Sequence, residues 1–108
     1  MKYQMKLVYI AGPYRAKTIY GVAQNIHNAA EVAIKYWKQG CAVICPHKNT
    51  GFLDGCTGEL DDHIWLMGDL EMIRRCDAIV MMKNWKESAG ARAELGLALS
   101  LKKEVIYD

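Results

Sequence analysis

The sequence predicts an α/β fold, a three-layer sandwich of the flavodoxin-like or Rossmann-like kind, with about four parallel strands and helices on both faces. Short runs rich in β-branched residues alternate with longer segments of helical periodicity, which is the pattern of successive βαβ units. The chain has 108 residues, and one core normally organises a chain of this length. We therefore expect residues 1–108 to form a single domain. Right-handed crossovers then favour the strand order 2-1-3-4.

The first half of the chain supplies two strands and a long helix. Residues 5–11 form an apolar run that Gly12 and Pro13 interrupt, which predicts the first strand. Apolar residues recur every three or four positions over residues 19–39, which predicts an amphipathic helix that ends at Gly40 in the C′ position. The second strand is predicted at residues 41–45, and Pro46 closes it.

The second half begins with a polar, glycine-containing loop at residues 47–58, whose unusual length is typical of a functional loop. The remaining elements are a helix from Thr57 or Gly58 to about Arg75, a strand at 77–82, a helix at 88–102 and a strand at 104–107. Helical spacing predicts that the first of these helices turns the following residues inward: Leu60, Ile64, Met67, and Leu70 or Ile73.

Composition excludes several classes of function. The formal net charge is +2 with no cluster of Lys and Arg, so we expect no nucleic-acid polymer as a partner. No apolar run approaches the roughly 18 residues that span a bilayer, and the start of the chain lacks a signal-peptide core. We therefore expect a cytoplasmic protein without membrane contact, whose four cysteines are reduced thiols.

The sequence also lacks the usual cofactor motifs. Cys41, Cys45 and His47 fall on one face of a predicted strand, with His63 further on, but no Cys-x-x-Cys pair is present. Buried cysteines are the favoured interpretation, and we expect no metal and no cofactor. The chain has neither Gly-x-Gly-x-x-Gly nor a phosphate-binding Gly-x-x-x-x-Gly-Lys-Ser/Thr loop. An FMN-binding electron carrier is disfavoured because no Ser/Thr-rich loop follows the first strand.

The segment Ser88-Ala-Gly-Ala-Arg-Ala-Glu94 is the most informative part of the chain. It follows an apolar strand and opens a helix, so Glu94 should face the carboxyl edge of the sheet, where ligands of open α/β sheets bind. Small residues around Gly90 leave backbone N–H groups accessible, and the start of a helix attracts anions. This combination suits a phosphorylated substrate that a carboxylate attacks.

Other residues could contribute to the same edge. The turn from Gly12 to Arg15 could offer N–H groups and a forked cation to a phosphate, or could be an ordinary turn with a surface arginine. Tyr9 lies in the first strand, where a buried tyrosine is commonly part of the core. Asp69 lies within the second helix, where most aspartates are solvated.

Three further residues follow strand ends. His47 and Asn49, beyond the second strand, could contact polar groups of a base or a sugar. Trp85, after the third strand, could stack on a base or simply cover an edge of the sheet.

This ordered set resembles the nucleoside 2-deoxyribosyltransferase superfamily over residues 6–107. The resemblance rests on strand-Tyr-x-x-Gly, an Asp in the second helix, Cys-Asp-Ala-Ile-Val, and Ser-x-Gly-x-x-x-Glu-Leu-Gly. The small nucleotide N-glycosidases and a branch of short, often phage-associated proteins are the most similar members. The resemblance implies that Glu94 is the nucleophile, that Tyr9 orients it and that Asp69 assists departure of the base. It also implies that Ser88, the N–H groups after it and Arg15 contact a 5′-phosphate.

The chain departs from this family at residues 83–88, at the bulky Arg92, and by ending at Asp108 without the C-terminal extension of many transferases. Two functions stay open: an N-glycosidase or base-exchange transferase acting on a nucleoside 5′-monophosphate, and a non-catalytic nucleotide-binding or sensing module. The expected partner is a nucleotide or nucleoside. We also expect a homodimer or higher homo-oligomer, with Trp37, Trp65 and Met72 as interface candidates, although all three could instead pack in the core.

Overall fold

The computed structural model describes residues 5–53 and 62–108 of the chain. Its strands and helices are, in order, β1 (Leu7–Ala11), α1 (Ile19–Lys38), β2 (Ala42–Ile44), α2 (Pro46–Asn49), α3 (Asp62–Arg75), β3 (Ala78–Met81), α4 (Ala89–Ser100) and β4 (Glu104–Tyr107). A 3₁₀ turn at Trp85–Glu87 precedes α4. The strands form one sheet in the order β2-β1-β3-β4, and every pairing is parallel. The predicted α/β class and strand order are confirmed.

Alternation along β1 divides the core between the two faces of the sheet. Val8 and Ile10 point to one face, where they pack with residues of α1 such as Ala29. Tyr9 and Ala11 point to the other face, where they pack with residues of α3 and α4. All four side chains are essentially buried. The period of two in a strand therefore places Tyr9 on the side of the sheet that carries α4.

The ends of α1 follow local rules that the sequence makes visible. The Thr18 side chain caps the first turn by accepting a hydrogen bond from the Gly21 N–H at 2.9 Å. At the other end Gly40 has φ of +90°, and its N–H donates to the Trp37 carbonyl at 3.0 Å. This is the C′ role predicted for Gly40. In residues 5–53 and 62–108, no helix combines the length and the apolar character needed to cross a membrane.

The segment after β2 differs from the prediction. The strand ends at Ile44, and Pro46 begins the short helix α2 instead of an irregular loop, because proline suits the first position of a helix. His47 therefore lies on a helix and does not continue the strand face of Cys41 and Cys45.

The orientation of α3 also differs. Its predicted start at Thr57 or Gly58, and Leu60, lie outside the described residues. Ile64 and Met67, predicted to face inward, are 48% and 45% exposed. Ile73 lies in the core and Leu70 packs against it, as predicted. Trp65, Leu66 and Asp69, on the first two turns, line a cavity.

Candidate functional site

A cavity of about 500 Å³ opens where β1, β2 and β3 end. Its walls come from the β1–α1 loop, α2, α3 and the start of α4. Eight of the ten residues predicted for the site line it: Tyr9, Gly12, Arg15, His47, Asp69, Ser88, Gly90 and Glu94. The carboxyl ends of neighbouring parallel strands meet at one edge of the sheet, which explains why residues distant in sequence converge here.

A hydrogen bond between Tyr9 and Glu94 forms the floor of this cavity. The Tyr9 hydroxyl donates to Oε2 of Glu94, and both side chains are buried. Glu94 lies on the buried side of α4 together with Ala91, Leu95 and Ala98, which follow the spacing of one helix face. A carboxyl group thus occupies a position that the helix pattern otherwise gives to apolar side chains.

Burial changes the ionisation of this pair. It raises the pKa of Glu94 to about 8, against an ordinary value of 4.5. The hydrogen bond from Tyr9 opposes this rise, and the nearby charge of Asp69 adds to it. Burial, together with the charges of Glu94 and Asp69, raises the pKa of Tyr9 as well. Tyr9 therefore keeps its proton and remains a hydrogen-bond donor.

Asp69 contributes a second carboxyl group to the same cavity, from α3. Its side chain is half-buried, and burial raises its pKa to about 6. Two carboxyl groups whose pKa values are raised by different amounts form a common arrangement for acid–base and nucleophilic chemistry. The structure thus places Asp69 in the same cavity as Glu94, the residue with which the resemblance pairs it.

The start of α4 forms the wall beside these carboxyl groups. The Ser88 side chain caps the helix by accepting a hydrogen bond from the Ala91 N–H at 3.0 Å. Amides in the first turn of a helix have no acceptor within the helix. Ser88 takes the Ala91 amide here, so the amides left for a ligand are those of Ala89 and Gly90, which line the cavity. The first turn carries no acidic residue. A Cβ at Gly90 would meet no described atom closer than Ser88 Oγ at 3.8 Å, so the glycine leaves this wall open.

Hydrogen bonds from Asn25, Phe52 and His47 hold the β1–α1 loop. A Cβ on Gly12 would lie 2.3 Å from Met82 Sδ, so the close approach of these strands requires glycine or a shifted Met82. The Asn25 side chain donates to the Tyr14 carbonyl at 3.0 Å, and the Tyr14 hydroxyl accepts from the Phe52 N–H at 2.8 Å. This loop carries Arg15 to the cavity.

His47 makes the third of these contacts. Its Nε2–H donates to the Pro13 carbonyl at 2.8 Å, which leaves Nδ1 as an acceptor. The side chain is 5% exposed, and burial lowers its pKa, so the ring is neutral near pH 7. Nδ1 has no hydrogen-bond partner among the described residues. His47 thus fixes the loop while it lines the cavity.

Asn49 and Trp85 are the two predicted residues that do not line the cavity. Asn49 is exposed at the end of α2. The 3₁₀ turn directs Trp85 toward β4, where its ring lies 6.2 Å from that of Tyr107 and packs against the core. Trp85 therefore covers an edge of the sheet, which is the second of its two predicted roles.

Several lining residues were not predicted for the site: Tyr14, Pro46, Thr50, Trp65, Leu66 and Glu87. Trp65 was a predicted interface residue, and its position one helical turn before Asp69 was the available signal. Of the other interface candidates, Met72 packs against the core and Trp37 is 52% exposed. The described residues contain no group of three His, Cys, Asp or Glu side chains that could hold a metal ion.

The sequence and the structure were compared with known proteins and families. No curated protein matches the sequence. A solved structure, the 2-desoxiribosyltransferase from Leishmania mexicana, matches with a TM-score of 0.66 and 22% identity. The match covers 94% of this chain and 63% of that one, so the chain spans less than two thirds of its neighbour. This likeness shows the α/β fold that the resemblance implied. A family model described as Domain of unknown function (DUF4406) matches residues 6–107, and the chain belongs to that family.

Proposed function

We propose that this protein cleaves the N-glycosidic bond of a nucleoside 5′-monophosphate, as a hydrolase or a base-exchange transferase. The observation that carries the proposal is the buried hydrogen bond from Tyr9 to Glu94, with Asp69 in the same cavity. The fold shared with a protein described as a 2-desoxiribosyltransferase supports it. The proposal includes that this protein belongs with the small nucleotide N-glycosidases of the nucleoside 2-deoxyribosyltransferase superfamily.

Glu94 is the proposed nucleophile. Because Tyr9 holds Oε2, Oε1 is the oxygen assigned to the anomeric carbon of the sugar. As the new C–O bond forms, the bond to the base nitrogen breaks and its electron pair leaves with the base, through an oxocarbenium-like state. Asp69 donates a proton to the departing base.

Resolution of the intermediate decides between the two reactions. Water that attacks the glycosyl ester releases the sugar 5-phosphate, restores the Glu94 carboxylate and returns a proton to Asp69. Attack by the nitrogen of a second base would give exchange instead. Both outcomes use the same residues.

The 5′-phosphate is assigned to the wall formed by Ser88 and Gly90. The amides of Ala89 and Gly90 in the first turn of α4 are the N–H donors assigned to it, and the helix start favours negative charge. Gly12 and Arg15 approach from the opposite loop. Holding the phosphate there would fix the sugar relative to Glu94, which raises the effective concentration of the carboxylate at the reacting carbon.

A nucleotide-binding module without turnover is the second candidate, and one observation favours it. With a pKa of about 8, Glu94 is mostly protonated at pH 7 in the empty cavity, and a protonated carboxyl is a poor nucleophile. The two candidates differ in whether a base is released.

The test is a chromatographic screen of ribo- and deoxyribonucleoside 5′-monophosphates for release of free base. The unsubstituted protein is compared with Glu94→Gln, and Glu31→Gln provides the same change at an exposed position of α1 that does not line the cavity. We expect release by the unsubstituted protein and by Glu31→Gln, and none by Glu94→Gln. Thermal stabilisation by a nucleotide without release of base would favour the binding module, and release by Glu94→Gln would remove that residue from the nucleophile role.

The pH dependence of kcat/KM provides a second readout. The proposed reaction needs Glu94 charged and Asp69 protonated, although their pKa values of about 8 and about 6 favour the opposite arrangement. Treated as independent, the two groups place about 1% of the molecules in the reactive state at pH 7. We expect a bell-shaped profile whose limbs belong to the pair as a whole. A profile that is flat from pH 5 to pH 9 would contradict this assignment.

The phosphate assignment has its own test. Arg15→Ala should weaken the binding of nucleoside monophosphates more than that of the corresponding nucleosides, because only the former carry the anion. Equal weakening of both ligands would refute the assignment of Arg15 to the phosphate.

A further inference from the structure

Trp65 lines the cavity without a place in the core. It is half-buried on α3, yet among the described residues it packs against neither of the two core clusters. The other two tryptophans differ from it, since Trp85 packs against the core and Trp37 is half-exposed on α1. A large indole that faces a cavity instead of the core offers a flat apolar surface to a ligand.

The position of Trp65 on α3 relates it to the reacting groups. Trp65 and Asp69 are four residues apart, so they share one face of the helix, about 6 Å apart along its axis. Only Cys76 and Asp77 separate α3 from β3, so α3 ends near the amino edge of the sheet, where β3 begins. The start of α3 therefore lies toward the carboxyl edge. Trp65 therefore lies nearer that edge than Asp69 does.

The two helical walls of the cavity differ in chemistry. The α4 wall presents Ser88, Gly90 and the amides of a helix start, which suit an anion. The α3 wall presents the side chains of Trp65 and Leu66 before it reaches Asp69. A ligand with an anionic end and an aromatic end would place the anion on α4 and the aromatic ring on α3.

We propose that Trp65 contacts the flat face of the ligand's base and determines on which side of the cavity the base leaves. The inference rests on the proposed function, which supplies the nucleotide, and adds the residue that recognises its heterocycle. Stacking on an aromatic side chain is available to every base because each has a π face. The base would then lie along α3, on the side of the cavity that carries Asp69.

Binding measurements on Glu94→Gln, which is inactive under the proposed function, test this inference without product formation. The ligands are the common ribo- and deoxyribonucleoside 5′-monophosphates and, as the ligand without a base, ribose 5-phosphate. In this background Trp65→Leu should weaken nucleotide binding about ten-fold or more. Trp65→Phe should stay within about three-fold, because phenylalanine keeps an aromatic face, and Trp37→Leu should have no effect. Ribose 5-phosphate should bind equally to all of them.

Tryptophan fluorescence keeps the test valid if Trp65→Leu does not fold. In a Trp37→Phe background, a nucleotide should change the emission while ribose 5-phosphate should not. Adding Trp65→Phe should remove that change. Persistence of the change in the Trp65→Phe protein would assign it to Trp85 and overturn the inference.

Other outcomes separate this inference from the proposed function. Equal weakening of nucleotide and ribose 5-phosphate by Trp65→Leu would show that Trp65 only shapes the cavity, and would overturn the inference. Unweakened nucleotide binding in a folded Trp65→Leu protein would do the same, even if the unsubstituted protein releases base. Nucleotide binding that depends on Trp65, without base release by the unsubstituted protein, would support the inference and refute the proposed cleavage.

Discussion

Two substitutions beside Glu94 should move its pKa in opposite directions. Tyr9→Phe removes the hydroxyl that donates to the Glu94 carboxyl group, and this bond favours the charged form. The pKa of Glu94 should therefore rise above its value of about 8. Asp69→Asn removes a negative charge that disfavours ionisation of Glu94, so the pKa should fall.

The size of each shift follows from the contacts. A hydrogen bond to a charged group contributes about 1.5–3 kcal/mol, and one pH unit corresponds to about 1.36 kcal/mol. Tyr9→Phe should thus raise the pKa of Glu94 by about one to two units. Asp69 has the weaker influence of the two, so the fall in Asp69→Asn should be smaller. Asp69 is itself charged where Glu94 titrates, because its own pKa is about 6, and its removal is therefore fully felt.

The assay is a pH titration of the Glu94 side-chain carboxyl by ¹³C NMR, with the resonance assigned by its loss in Glu94→Gln. Tyr36→Phe is the matched control, because this buried tyrosine lies on the other face of the sheet and its hydroxyl donates to Asp108. We expect the control to leave the Glu94 titration unchanged. Shifts of the same sign in Tyr9→Phe and Asp69→Asn would refute the reasoning, as would a lowered pKa in Tyr9→Phe.

Three further predictions concern stability and assembly. The folded state holds the Glu94 proton more tightly than the unfolded chain does, so the free energy of unfolding should fall by at most about 5 kcal/mol as pH rises from 4.5 to about 8. Denaturant titrations at both ends of this range should show a smaller fall for Glu94→Gln. The same dependence of the unfolding free energy on pH in Glu94→Gln would contradict the claim. Gly90→Ala and its control Gly96→Ala should each raise the unfolding free energy by about 0.5–1 kcal/mol, because a Cβ at either position meets no crowding among the described atoms. Only Gly90→Ala should weaken nucleotide binding. Equal nucleotide affinities of the two variants would remove Gly90 from the phosphate wall. Light scattering should give the mass of a homo-oligomer for the unsubstituted protein and a lower mass for Trp37→Glu. A monomer mass for the unsubstituted protein would contradict the prediction.

The sequence predicted long elements and their order better than short elements and their orientation. The fourth strand was predicted at residues 104–107, where the structure has β4, because alternating strands and helices allow few topologies. The four residues of α2 are too few to show periodicity, and Pro46 was the only local signal. On α3, apolar residues occur on several sides of the helix, so spacing alone could not decide whether Ile64 or Trp65 faces inward.

The candidate site shows a similar division. Glu94 could be expected at the carboxyl edge from its place after a strand and within a helix. Asp69, taken alone, resembles an ordinary solvated helix residue, because only the packing of α3 determines that this side faces a cavity. Trp85 could not be placed from sequence either, since the three-residue 3₁₀ turn redirects its ring toward Tyr107.

Alternation along β1 places the apolar side chain of Val8 on the face of the sheet opposite to Tyr9. Charging Glu94 beside Tyr9 in a buried position costs free energy, as its raised pKa reflects. On the opposite face Val8 and Val80 are fully buried among apolar neighbours, and each such side chain contributes about 1.5–3 kcal/mol. Two of these residues contribute as much as the ionised Glu94 costs. Side chains that do not line the cavity can therefore offset the free energy that a charged carboxylate in the cavity costs.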